Sequence, residues 1–176
     1  MANRLDPLHV FQFKVEFKED SLPGANKPET ALPSLQSAFS ECSGLEATME
    51  PKVINVGGLN YGAVQRPGPV TFGTVILKRG ITPVQDLWAW FHVLNGEDKY
   101  AYRVTATITL RDAKNKDQLK WVLQRAMPIK FKVPDLNATG SDVGIEELHL
   151  AHEGITLEFP TNPDQKKPKT PGTANE

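Results

Sequence analysis

Cysteine is nearly absent: Cys42 is the only one among 176 residues. A single thiol rules out an internal disulfide and a zinc cluster built of thiolates. A lone cysteine with no base nearby in sequence is far more often a small core residue than a nucleophile. An excess of one charge is also lacking. Twenty basic residues face 21 acidic ones, for a net charge of -1. The chain as a whole therefore has no attraction to nucleic acid or to an anionic membrane, although one face can still be basic. Charge interrupts every longer apolar run, and none reaches the length that spans a bilayer as a helix. The opening MANRLDPLHV has no apolar core of a secretory leader, so synthesis in the cytoplasm is expected.

Several catalytic signatures are missing too. The sequence GGLNYG lacks the Lys-Ser/Thr of a phosphate-binding loop, and no helix is expected after it. No G-x-S-x-G elbow occurs. Trp88 and Trp90, two apart on an expected helix, diverge too far to form one stacking platform.

What the chain does have is alternation. In VFQFKVEFK, residues 10–18, Phe11, Phe13, Val15 and Phe17 fall on one face, with Gln12, Lys14, Glu16 and Lys18 on the other. That is the period of a half-buried strand. Residues 102–112 repeat the pattern, setting Tyr102, Val104, Ala106, Ile108 and Leu110 against Arg103, Thr105, Thr107, Thr109 and Arg111. Threonines suit the polar face of a sheet. Residues 71–80 and one or two segments within 119–133 add further strands, and a weaker extended segment runs from Gln36 to Met49. Residues 50–70 mix β-formers with glycine and proline around Gly57-Gly58, and predict a long hairpin that leaves the body of the domain.

One helix is expected, at about 82–95. Thr82 suits the N-cap, Pro83 the first turn, Gln85 a capping box, and Asn95-Gly96 the stop. Val84, Leu87, Trp88, Phe91 and Leu94 make one apolar stripe, with Trp90 on its flank and Val93 nearly opposite. The proline-rich segment 19–35 reads as a loop insertion and residues 161–176 as a flexible tail, around a single β-domain over 1–160.

The stretch PDLNATGSDVGIEELHLAHEG, residues 134–154, invites a metal or acid–base reading through His149, His152, Glu146, Glu147 and Glu153. The zinc-protease pattern needs histidines four apart on a helix. Here they are three apart on an expected strand, which points them to opposite faces. Glu146 and Glu147 likewise diverge, and solvated or interface charge is expected of both. The apolar phase flips between Leu148/Leu150 and Ile155/Leu157/Phe159, so a bulge or bend is expected at Glu153-Gly154. No catalytic, metal or cofactor site is expected.

Several blocks then occur in a telling order: DPLHVFQFKVEF, AFSECSGLEATMEPKVINVGG, LKRG (77–80), DLWAW (86–90), PIKFKVPDLNA (128–138) and IEELHLAHEG (145–154). Over roughly Asp6 to Phe159 the chain resembles the tail tube proteins of contractile phage tails (T4-like) and of contractile injection systems, relatives of the type VI secretion tube proteins. The resemblance implies a mainly β fold, an antiparallel barrel or sandwich with one flanking helix. It also implies a non-enzymatic subunit whose hexameric rings stack into a hollow tube inside a sheath. Its partners would be further copies of itself, sheath, baseplate, cap or terminator and tape-measure proteins, with cargo protein or DNA in the bore. The particle would be a phage tail or an injection device released outside the cell. The insertion at 19–35 and the tail would suit a specialised ring near the baseplate or cap.

On that footing Gln12, Lys14, Arg103, Thr105, Thr107, Thr109 and Arg111 are expected to face the lumen. Val53, Ile54, Leu59 and Tyr61 are expected to anchor stacking between rings, and Trp90 and Val93 to contact a neighbouring subunit or the sheath. A monomeric β-barrel that carries a small apolar ligand is the alternative. A metalloenzyme using His149, His152 and Glu153 is a weaker third.

Overall fold

The computed structural model describes residues 8, 10–20, 39–58, 61–84, 86–94, 102–139 and 143–159. The segment 21–35, Leu59, Gln85, Asn95-Gly96 and the tail after Phe159 lie outside them, and with them most of the expected insertion, the capping box and the helix stop. Among the described residues there are eleven strands and one helix. In chain order these are β1 (Phe13–Glu19), β2 (Glu41–Ser43), β3 (Ala47–Met49), β4 (Lys52–Ile54), β5 (Val64–Arg66), β6 (Val70–Phe72) and β7 (Val75–Gly80). They are followed by α1 (Asp86–Leu94), β8 (Val104–Arg111), β9 (Asp117–Lys132), β10 (Ile145–Ala151) and β11 (Gly154–Glu158).

All pairings are antiparallel, in the order β1-β8-β9-β10-β7-β2, with β11 also on β9. The 16-residue β9 organises the whole. Its first half pairs β8 and β11 and its second half pairs β10. Between them the pairing shifts by one residue at Val104/Ala106, and Arg125 takes a left-handed φ of 49°. One inserted residue re-aims every side chain beyond it. Leu123 before the bulge and Ala126 after it are therefore both buried. Across the pair, the chain breaks between β10 and β11 at His152-Glu153, one residue before the Glu153-Gly154 step where the flip of apolar phase placed a bend. The Glu153 amide donates to the Gln124 carbonyl, and Arg125 ion-pairs with Glu153 at 3.1 Å, which clasps the corner.

The bend folds one sheet into two layers, β1-β8-β9-β11 and β9-β10-β7-β2. The arrangement is sandwich-like, and among the described residues no barrel closes. Val15, Val104, Ala106, Ile108 and Leu123 of the first layer meet Val75, Leu77, Leu148 and Leu150 of the second in one apolar core. Burying each such side chain is worth about 1.5–3 kcal/mol.

Helix α1 packs on this core, but not by the face that its sequence period suggests. Leu87 and Trp90 are buried, Trp90 edge-on to Phe17 at 5.2 Å between ring centroids, whereas Trp88 is 48% exposed. Val84 lies before the helix and is exposed. The expected start at Thr82 is also displaced, to Asp86. A buried ionic cluster accounts for both differences. Arg79 of β7 ion-pairs with Glu146 of β10 and with Asp86, donates from Nη1 to Asp86 Oδ2 at 3.1 Å, and donates from Nη2 to the Val84 carbonyl at 3.3 Å. Burial pulls the guanidinium pKa down. The hydrogen bonds to Asp86 and Glu146 outweigh that and hold it above its ordinary value. The helix is thus held by its first residue, and that anchor sets its rotation. An expectation for Glu146 is corrected as well: it is not solvated, because its side chain is drawn inward to Arg79.

The hairpin expected at 50–70 is present, with a longer stem. Here β3 pairs β6 and β4 pairs β5, so the arm spans 47–72, with Ile54 opposite Val64 and a loop between them. That loop is wider than a two-residue Gly-Gly turn. The arm leaves the body where Phe72 lies against the His152 ring, 5.4 Å between centroids. At its elbow a Cβ on Gly68 would stand 2.0 Å from the Glu50 carbonyl oxygen, a distance only glycine tolerates.

Candidate assembly surfaces

The outer face of the β1-β8-β9-β11 layer is polar by construction. Register sets Lys14 opposite Thr109, Glu16 opposite Thr107 and Lys18 opposite Thr105. On the far side of β8, Thr109 faces Lys120 and Thr107 faces Val122, and β11 continues the row with Thr156 and Glu158. Its charges are largely compensated. Lys14 pairs with Glu16, and Arg111 and Lys120 both pair with Asp117. The Thr105 hydroxyl donates to Asp20 at 3.0 Å.

The structure therefore brings together Lys14, Thr105, Thr107, Thr109 and Arg111 from the expected lumen set. Gln12 and Arg103 sit half-buried just outside the strand ends; the Gln12 carbonyl accepts from the Arg111 amide, and Arg103 Nη1 donates to the Tyr102 carbonyl. Thr109 is a correction. It is 1% exposed and its hydroxyl has no partner, so it does not meet solvent on this face. Both cross-strand neighbours are lysines, whose long stems can cover a short side chain.

The same layer ends in open strands. Among the described residues β1 pairs only β8, and β11 pairs only β9. Each leaves one row of backbone donors and acceptors without a strand beside it.

Of the expected stacking anchors, Tyr61 is 99% exposed, Val53 is exposed and Ile54 is half-buried, while Leu59 lies outside the described residues. The expectation for Trp90 is corrected: it is 1% exposed and packs within its own chain, so it offers nothing to a neighbour. Val93 is half-buried. The exposed indole on this helix is that of Trp88, which lies against Phe131 at 5.6 Å. Periodicity puts Trp88 on the inner stripe and Trp90 on its flank; the structure reverses them, because the partner that covers Trp90, Phe17, lies outside the helix.

The histidines do not converge. His149 lies on the outer face of the second layer, its Nε2 3.5 Å from Glu147, while His152 turns its Nδ1 to the Gly154 carbonyl at 3.0 Å. Among the described residues no group of three His, Cys, Asp or Glu is placed to hold a metal. Between the layers, Trp90, Tyr102 and the leucines are buried in the interior. An apolar hollow lined by Leu8, Phe11 and Leu110 is open at the surface. The Cys42 thiol is pushed up to about 11, by burial first and by the Glu41 carboxylate second.

Comparison with known proteins follows the same lines. No curated protein matches the sequence. Among solved structures, the chain is similar to one in the anti-feeding prophage baseplate, with a TM-score of 0.73 and 23% identity over 88% of this chain and 97% of that one. It is similar to one in the sheath–tube complex of an extracellular contractile injection system (PVC, extended state), with a TM-score of 0.69 and 19% identity over 89% and 95%. A chain in the anti-feeding prophage tube-terminating cap gives 0.70 and 18% over 91% and 100%. At these identities the likeness establishes the fold. The model of the T4-like virus tail tube protein gp19 family matches residues 9–156, so the chain belongs to that tail tube family.

Proposed function

We propose that this chain is a non-enzymatic structural subunit, six copies of which close into a ring, and that the rings stack into the hollow inner tube of a contractile tail or injection system. The observation that carries the reading is the β1-β8-β9-β11 layer. One side of it is packed on the core, the other is a polar face of compensated charge, and among the described residues both bordering strands lack a neighbour. A ring of copies supplies each open border with the next subunit and turns the polar faces toward one aqueous bore. Thr105, Thr107, Lys14 and Arg111 then line the bore, and cargo protein or DNA passes along it. The outer side meets a sheath whose contraction drives the tube through a target envelope. The ends meet baseplate, cap or terminator and tape-measure proteins.

Negative-stain electron microscopy of the purified protein tests this directly. Six-fold rings, alone or stacked, are expected. A ring-free monomer at high concentration refutes it.

A further inference from the structure

Exposed apolar side chains gather at two places at opposite ends of β7. One is the arm, which joins the body just before Val75. The other begins just after Gly80: Ile81 donates its amide to the Gly144 carbonyl, and a Cβ on Gly144 would lie 3.1 Å from both Ile81 and Pro134. Val143 and Ile145 complete this second patch, Val143 77% exposed and Ile145 in register with Gly80. Six residues of strand separate the two places, roughly 20 Å at about 3.3 Å per residue.

The arm also carries an unusual charge. Lys52 stands directly opposite Arg66, on the face that holds Ile54 opposite Val64. Both cations are exposed, and no ion pair joins either to a carboxylate among the described residues. Like charges directly opposite on a hairpin destabilise it, so an isolated arm gains nothing from this pair. At the other end of β7, Asp135 follows Pro134; it too is exposed, with no ion-pair partner among the described residues.

We infer that the arm face bearing Lys52, Ile54, Val64 and Arg66 seats on the Ile81, Pro134, Val143 and Ile145 patch of a second copy in the adjoining ring, with Asp135 of that copy answering the two cations. This rests on the tube reading above and names the receiving surface within it. Apolar surface meets apolar surface, and two unpaired cations meet an unpaired acid. Because donor and receiver lie at opposite ends of β7, the contact is head-to-tail. A contact of that kind does not saturate in a pair and propagates as an open stack.

The test is a charge exchange read by electron microscopy. Lys52→Glu/Arg66→Glu in one variant, and Asp135→Lys in another, are each expected to leave far-ultraviolet circular dichroism unchanged and rings intact, while mean stack length falls several-fold. Combining all three substitutions is expected to restore stack length. Stacks unchanged by either reversal, or not restored by the combination, overturn the inference while rings persist. Absence of rings in the unaltered protein instead overturns the tube reading itself, so the two failures are distinct.

Discussion

Replacing Arg79 by methionine is the sharpest probe of how the fold is held. The guanidinium is 4% exposed and serves Asp86, Glu146 and the Val84 carbonyl at once. Removing it leaves two carboxylates buried side by side with no cation between them. Breaking a buried ionic group in this way costs about 3–5 kcal/mol. In a domain of this size each kcal/mol moves Tm by about 2–4 °C, so a fall of roughly 6–20 °C is expected. Neutralising the whole cluster, as Arg79→Met with Asp86→Asn and Glu146→Gln, removes the stranded charges and should recover much of that loss. Arg79→Lys should not match the native protein, because an ammonium lacks the planar fork that spans Glu146, Asp86 and the Val84 carbonyl at once. Thermal circular dichroism at one fixed subunit concentration is the assay, since self-association would otherwise shift Tm. If Arg79→Met costs less than about 1 kcal/mol, the behaviour of a solvated surface pair, the cluster does not anchor the helix and the reasoning fails.

Other outcomes follow from burial. Trp90→Ala should cost about 3–5 kcal/mol in urea denaturation, and Trp88→Ala about 1 kcal/mol or less; the reverse order would undo the assigned helix rotation. Thr109→Val should stabilise the isolated subunit by about 1 kcal/mol, because it removes a buried hydroxyl that has no partner. A clear loss on that substitution would mean the hydroxyl is bonded. Cys42, pushed from 9.0 up to about 11, should carry about 100-fold less thiolate than an unperturbed cysteine at pH 8 and react with a disulfide reagent correspondingly slowly. The rate should climb about tenfold per pH unit and level off only near pH 11, and rapid labelling of folded protein at neutral pH would contradict the raised pKa.

Much of this molecule was written locally. Alternation in 10–18 and 102–112 specified β1 and β8 with their correct inner faces, since a strand's period of two is a property of its own backbone. The flip of phase at Glu153-Gly154 marked the corner before any partner strand was known. Separation of the histidines by three positions, with His152 already beyond the end of β10, kept them apart in space as well. The surfaces were legible only in part. Lys14, Thr105, Thr107 and Arg111 reached the polar face as expected, but Thr109 on the same row is covered, because cover depends on what the two flanking strands place over it.

What tertiary structure alone decided is whatever required distant residues to meet. Which tryptophan points inward goes with what lies over the helix: Trp90 meets Phe17 of β1, and Asp86 meets Arg79, seven residues before it in sequence. No window along the helix contains that information. The bulge at Arg125 is similar: one residue had to be inserted there so that a single strand could serve two layers, and only the competing demands of β8 and β10 fix where it falls. A sequence carries its own periods. Rotation, cover and junction are set by neighbours, and neighbours exist only once the chain has folded.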